Sequence, residues 1–150
     1  LTVSFCGLFF RFVRLNLPTS EDAAWVKHLP DVLKGNEENL PEIGKYNAGQ
    51  KLVFWGMTIL IAVLITSGLV EWEEYFGSST TVVQKRIAML LHAVAAVAAI
   101  GIWIVHVYAA IWVRGTIGAM TRGNVTAGWA WRHHRKWLRE ETAKDRAGQT

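Results

Sequence analysis

Ile87–Val113 most limits what this chain can fold into. Across twenty-seven residues no side chain ionises near neutral pH except His92 and His106. Leu52–Val70 adds nineteen residues without a charge. About twenty apolar residues in a helix cross the ~30 Å hydrocarbon layer of a bilayer. Both stretches therefore predict membrane-spanning helices. The opening LTVSFCGLFF reaches Arg11 after ten residues, too few to span. It lacks an initial Met, a basic leader region and a small-residue cleavage pattern, so it does not read as a signal peptide. The simplest expectation is that the chain begins inside a transmembrane helix whose earlier part lies upstream. Cys6 is the only cysteine and makes neither an intrachain disulfide nor a cysteine metal site; it reads as a small buried apolar side chain.

The net charge of +4 and the pI near 9.5 would suggest a nucleic-acid partner in a soluble protein. Here the basic residues flank apolar spans, and orientation in a lipid membrane accounts for them without nucleic acid. Residues 11–51 carry Arg11, Arg14, Lys27, Lys34, Lys45 and Lys51, and the tail carries Arg114, Arg122, Arg132, Arg135 and Lys136. The connection 71–86 has only Lys85 and Arg86, beside Glu71, Glu73 and Glu74. The positive-inside rule puts 11–51 and the tail in the cytoplasm and the connection outside.

The expected fold class is an all-α membrane protein with two complete spans and part of a third. The expected organisation is a partial span over 1–18, a cytoplasmic connection with a surface helix over 19–46, and a span over 47–72. A periplasmic loop over 73–86, a span over 87–114 and a cytoplasmic tail over 115–150 complete it. Ser20 with Glu21 and Asp22 marks a helix start, Pro30 a break and Gly35-Asn36 a stop. The tail begins Gly-rich and turn-like, continues through the Trp- and Arg-rich GWAWRHHRKWLREE typical of an interfacial segment, and is expected to end frayed.

Fourteen helical residues separate His92 from His106, a rotation within ~40° of whole turns and a rise of ~21 Å. The two imidazoles share a helix face, near opposite sides of the bilayer. Ala95, Ala96 and Ala99 lie on the stripe between them and leave room for a bulky neighbour. Hydrogen bonds to neighbouring helices would account for one such histidine. Two on one face favour axial ligation of haem iron, one haem per leaflet. No Asp or Glu lies within Leu52–Val70 or Ile87–Val113 to continue a proton relay. His28, in the surface segment, reads as solvated. His133 and His134 read as part of a basic interfacial helix rather than a metal site, because adjacent helical residues face apart. Two haems with two histidine ligands each need four histidines, so half the set lies outside the spans seen here.

VLKGNEENLPEIGKYNAGQKLVFW and LLHAVAAVAAIGIWIVHVYAAIWVRGTIGAMTRGNV resemble the gamma subunit family of membrane-bound formate dehydrogenase, a dihaem cytochrome b, from about Arg11 to Trp137. The resemblance implies a four-helix transmembrane bundle holding two b haems in the intact subunit. The positions matching His92 and His106 are axial ligands of the outer and inner haem, and the remaining ligands lie on the first helix and at the start of the second. The resemblance implies a menaquinone site at Asn47, Gly49 and Gln50 with His106, and no catalytic residue in this subunit. It implies partners: an iron–sulfur beta subunit and an alpha subunit with molybdenum or tungsten on a pterin, in a heterotrimer that can assemble further. It implies a multi-pass protein of the bacterial inner membrane with a cytoplasmic C-terminus. On the residues alone, KYNAGQ is more simply a helix start capped by Asn47. Its unpaired amides and the bare Gly49 are also what a quinone carbonyl and ring would need. Two rivals stay open: a sister cytochrome b serving a hydrogenase or another reductase, and a haem-free membrane anchor.

Overall fold

A computed structural model describes residues 1–34, 41–113 and 115–148. The expected stop at Gly35-Asn36 and the tail's Arg114 lie outside the described residues. The described residues are helical or irregular, with no strand among them. In chain order the helices are α1 (Thr2–Phe12), α2 (Ser20–Lys27), α3 (Leu29–Leu33), α4 (Ala48–Glu71), α5 (Glu73–Phe76), α6 (Val82–Trp112), α7 (Thr116–Arg122), α8 (Ala127–His133) and α9 (Arg135–Ala147). Short 3-10 turns cover Val13–Asn16 and Gly77–Ser79. The chain divides into two units, each described by itself: Leu1–Arg11 with Val53–Ala109, and Phe12–Leu52 with Ala110–Thr150.

The first unit is built on α4 and α6, the two helices long and apolar enough to cross a membrane. Two contacts show that they run antiparallel. A Cβ at Gly56 would lie 3.1 Å from the Ile102 side chain, while Ser67, further along α4, bonds His92, earlier on α6. The covered face of α6 runs through Ala88, His92, Ala95, Ala96, Ala99, Ile102 and His106, at the three- and four-residue steps of a helix stripe. Small residues on that stripe let the helices approach. The rest of the apolar surface points outward; Leu52 is 74% and Val97 72% exposed. Such a surface is stable only in lipid or against further apolar helices. α1 joins this unit through Phe9, which stacks on Phe54 at 6.2 Å and meets Trp55 edge-on. Only that face of α1 is covered, so Cys6 is exposed rather than buried. At 31 residues α6 begins at Val82, before the apolar run starts at Ile87, because Thr81 and Gln84 cap it.

The second unit packs Trp25, Ile43, Ala110 and Ala130 in its interior. Asp22 caps α2 by accepting the Thr19 amide at 2.6 Å. Pro30 starts a new helix, α3, because proline is tolerated in a first turn. The tail departs from expectation at two places. Its Gly-rich start contains α7, because Gly115 (φ 91°) and Gly123 (φ 70°) take left-handed backbone at the helix boundaries rather than breaking the interior. Its end is helix α9 rather than a frayed strand of chain, anchored by Lys136 to Glu21 and Arg139 to Glu42.

Candidate functional site

α6 carries both intramembrane histidines without interruption, and both are half-buried on its covered stripe. The helix rise puts them ~21 Å apart along the axis. His92 Nδ1 lies 2.9 Å from Ser67 Oγ. Gly68 faces the Cε1–Nδ1 edge of the ring: a Cβ there would sit 3.5 Å from His92 Cε1, in ordinary contact. α4 contains no histidine.

Asn47, Gly49 and Gln50 lie at the start of α4, in the second unit, whereas His106 lies in the first. Asn47 Oδ1 accepts the Gln50 amide at 2.8 Å and Gln50 Oε1 accepts the Asn47 amide at 2.9 Å. This reciprocal cap satisfies two amides of the first turn. With both side-chain carbonyls committed to it, what either residue can offer a ligand carbonyl is its NH2 group. A Cβ at Gly49 would lie 3.3 Å from both Asn47 Oδ1 and Trp25 Cη2. The flat ring that closely approaches Gly49 is thus the chain's own Trp25, which is buried.

Next to this cap lies a pair that the sequence reading did not single out. Lys51 is 9% exposed, and its ammonium donates to Asp22 Oδ2 at 2.8 Å and to Thr19 Oγ1 at 3.3 Å. Burial pushes the Asp22 carboxyl up, but the Lys51 ammonium and the Thr19 donors outweigh it and hold the group below the usual carboxylate range. The Thr19–Asp22 spacing was a readable cap signal; its link to Lys51 joins residues distant in sequence. Burial likewise raises the Tyr46 phenol, just ahead of Asn47.

His28 is half-exposed, with Nδ1 3.4 Å from the Asp31 carboxylate. His133 and His134 separate in role. His134 sits at the break between α8 and α9, is 5% exposed, and donates from Nδ1 to the Gly44 carbonyl at 2.9 Å. It is an interior fastener rather than an interfacial cation. Burial lowers its pKa, helped by His133 and opposed by the Gly44 carbonyl. Among the described residues no group of three or more His, Cys, Asp or Glu side chains could hold a metal ion. Haem iron needs only one protein donor per axial position, so this does not bear on His92 and His106.

Residues 1–123, which include the hairpin and both its histidines, match the family described as prokaryotic cytochrome b561. The chain belongs to that family. It is an all-α membrane protein, and membership of a cytochrome b family implies haem b. The chain is 40% identical over 138 residues to the cytochrome b556(Fdn) subunit of the nitrate-inducible formate dehydrogenase of Escherichia coli K12, covering 92% of this chain and 64% of that protein. It is 44% identical over 137 residues to the cytochrome b556(fdo) subunit of a formate dehydrogenase from the same strain, covering 91% and 64%. The cytochrome b556 subunit of Haemophilus influenzae formate dehydrogenase is 39% identical over 141 residues, covering 89% and 59%. The chain therefore spans less than two thirds of the length of these relatives. The donor types fit the cofactor: His92 and His106 are imidazoles on one apolar helix, and imidazole is the usual axial donor of a b-type haem.

Proposed function

We propose that this cytochrome b561-family chain is the membrane electron-transfer subunit of a formate dehydrogenase, delivering electrons from an iron–sulfur subunit to menaquinone. The observation that carries this reading is α6, one unbroken helix with two histidines on one face at ~21 Å spacing, in a chain about 40% identical to formate dehydrogenase cytochrome b556 subunits. His92 holds one haem nearer the outer leaflet and His106 a second nearer the cytoplasm. When bound, each supplies a reversible one-electron centre. The catalytic subunit, with molybdenum or tungsten on a pterin, lies on the periplasmic side, and the heterotrimer sits in the bacterial inner membrane with this chain's C-terminus in the cytoplasm.

Menaquinone is received at the start of α4. The NH2 groups of Asn47 and Gln50 donate to a quinone carbonyl and stabilise charge that develops there on reduction, while the N-terminal dipole of α4 adds to the effect. Lying at the cytoplasmic end of the span, this position draws protons from the cytoplasm. Formate is oxidised in the catalytic subunit.

The test is a reduced-minus-oxidised spectrum of the intact complex with variant chains. The wild type shows a b-type α band. His92→Ala loses one haem and keeps quinone binding; His106→Ala loses the other haem together with quinone reduction. Unchanged haem content in both variants refutes the ligand assignment, and absence of any b-type band refutes the cytochrome reading.

A further inference from the structure

Ser67 is 5% exposed and bonded on two sides. Its Oγ lies 2.6 Å from the Val63 carbonyl, one turn back on α4, and 2.9 Å from His92 Nδ1. A hydroxyl has one proton to give. A gap of 2.6 Å between two oxygens is tolerable only with a proton between them, so that proton goes to Val63. The hydroxyl oxygen is then left as an acceptor, and Nδ1 of His92 must be the protonated nitrogen. The opposite arrangement would put two bare oxygens in close contact and move the ring proton to Nε2. We infer that Ser67 is a positioning residue for His92: its backbone-locked hydroxyl fixes the Nδ1–H tautomer and leaves the Nε2 lone pair as the only imidazole donor available to iron.

Local geometry supports the assignment. Gly68 places no side chain against the Cε1–Nδ1 edge of the ring, which faces α4. The Ser67 rotamer is tied to its own helix and cannot rotate to donate toward His92 without giving up the Val63 bond. A hydrogen bond from the distal nitrogen also increases electron donation by the ligating one, the usual effect of an outer partner on a metal-bound histidine. Stronger donation favours the ferric state, so Ser67 holds the potential of this centre down. It has no such link to His106 among the described bonds.

The inference rests on His92 being an axial ligand, and the experiment separates the two. The intact complex carrying Ser67→Ala, Ser67→Thr or His92→Ala is titrated potentiometrically, with haem content and the low-spin EPR signals measured on the same samples. His92→Ala identifies its centre by the signal it removes; if it removes none, the ligand reading itself fails. With that signal identified, Ser67→Ala should shift its potential upward and leave the other haem unmoved. The expected change is roughly tenfold in the ferrous-to-ferric ratio at fixed poise, ~59 mV for a one-electron couple. Ser67→Thr, which keeps a hydroxyl, should restore the wild-type potential. Loss of that haem from the Ala variant with retention in the Thr variant also supports the proposal. It is overturned if Ser67→Ala leaves both potentials unchanged, if both haems shift together, or if the Ala and Thr variants lose the haem alike.

Discussion

At the scale of single residues, Asn47 combines two jobs that a substitution can separate. Its Oδ1 caps α4 and its NH2 is the group proposed to meet a quinone. Asn47→Asp keeps the cap, because Asp is as good an N-cap residue, but removes the donor. Thermal stability of the complex should stay near wild type while quinone reduction falls by up to about tenfold, the worth of one hydrogen bond. Asn47→Ala should lose both, with a stability cost of about 1 kcal/mol. Equal quinone reduction in the Asp variant and wild type would show that Asn47 is only a cap. Gly49→Ala tests the neighbouring position. Its Cβ would press on Trp25 and Asn47 at 3.3 Å, tighter than ordinary contact. The gain in helix propensity, up to ~1 kcal/mol, should be offset by displacement of the Trp25 ring. Trp25 fluorescence should report the shift.

At the scale of elements, two polar fasteners hold the second unit, and they respond to pH in separate windows. His134 ties the α8–α9 junction to the Gly44 carbonyl. Its native pKa is below the ordinary 6.5, so the unfolded chain binds the proton more readily. Its contribution is complete above pH 6.5 and is lost as pH falls from there through the native value. Asp22 ties α2 to α4 through Lys51. Its native pKa is below the ordinary 3.8, so its contribution persists down to that pH and is lost only beneath it. Hydrogen-exchange protection across 127–147, corrected for the intrinsic pH dependence of amide exchange, should therefore fall as pH drops below 6.5, while protection at the start of α2 holds. His134→Gln, which retains a donor without titrating, should flatten the first response. Asp22→Asn leaves the buried Lys51 without its anion and should cost roughly 1–3 kcal/mol, read as a lower melting temperature of the solubilised complex.

At the scale of the whole molecule, the apolar surface is the dominant fact. The α4–α6 hairpin turns most of its large side chains outward, which water does not tolerate. Val97, midway along α6 between the histidines, is 72% exposed. Val97→Arg would place a cation at mid-membrane depth at a cost of about 2.5–3.5 kcal/mol on an insertion scale. The inserted fraction of α6 in a membrane-integration assay should fall accordingly. Substitution of Ser78, in the connection outside the spans, should leave it unchanged.

The amino-acid sequence by itself determined the class of this protein. Two long apolar runs flanked by charged segments point to helices crossing a bilayer, in which every backbone polar group is satisfied within the element. The helical period alone put His92 and His106 on one face, since that relation is local to α6. What only the tertiary structure decided involves partners far apart in the chain. Ser67 meets His92, Trp25 covers Gly49, Lys51 finds Asp22, and His134 reaches back to Gly44. The same limit explains the tail. Gly115 and Gly123 look like helix breakers in a line of residues, and only the backbone angles reveal them as boundaries of α7. A sequence carries the period of each helix, whereas the choice of neighbour for each polar group is made by packing.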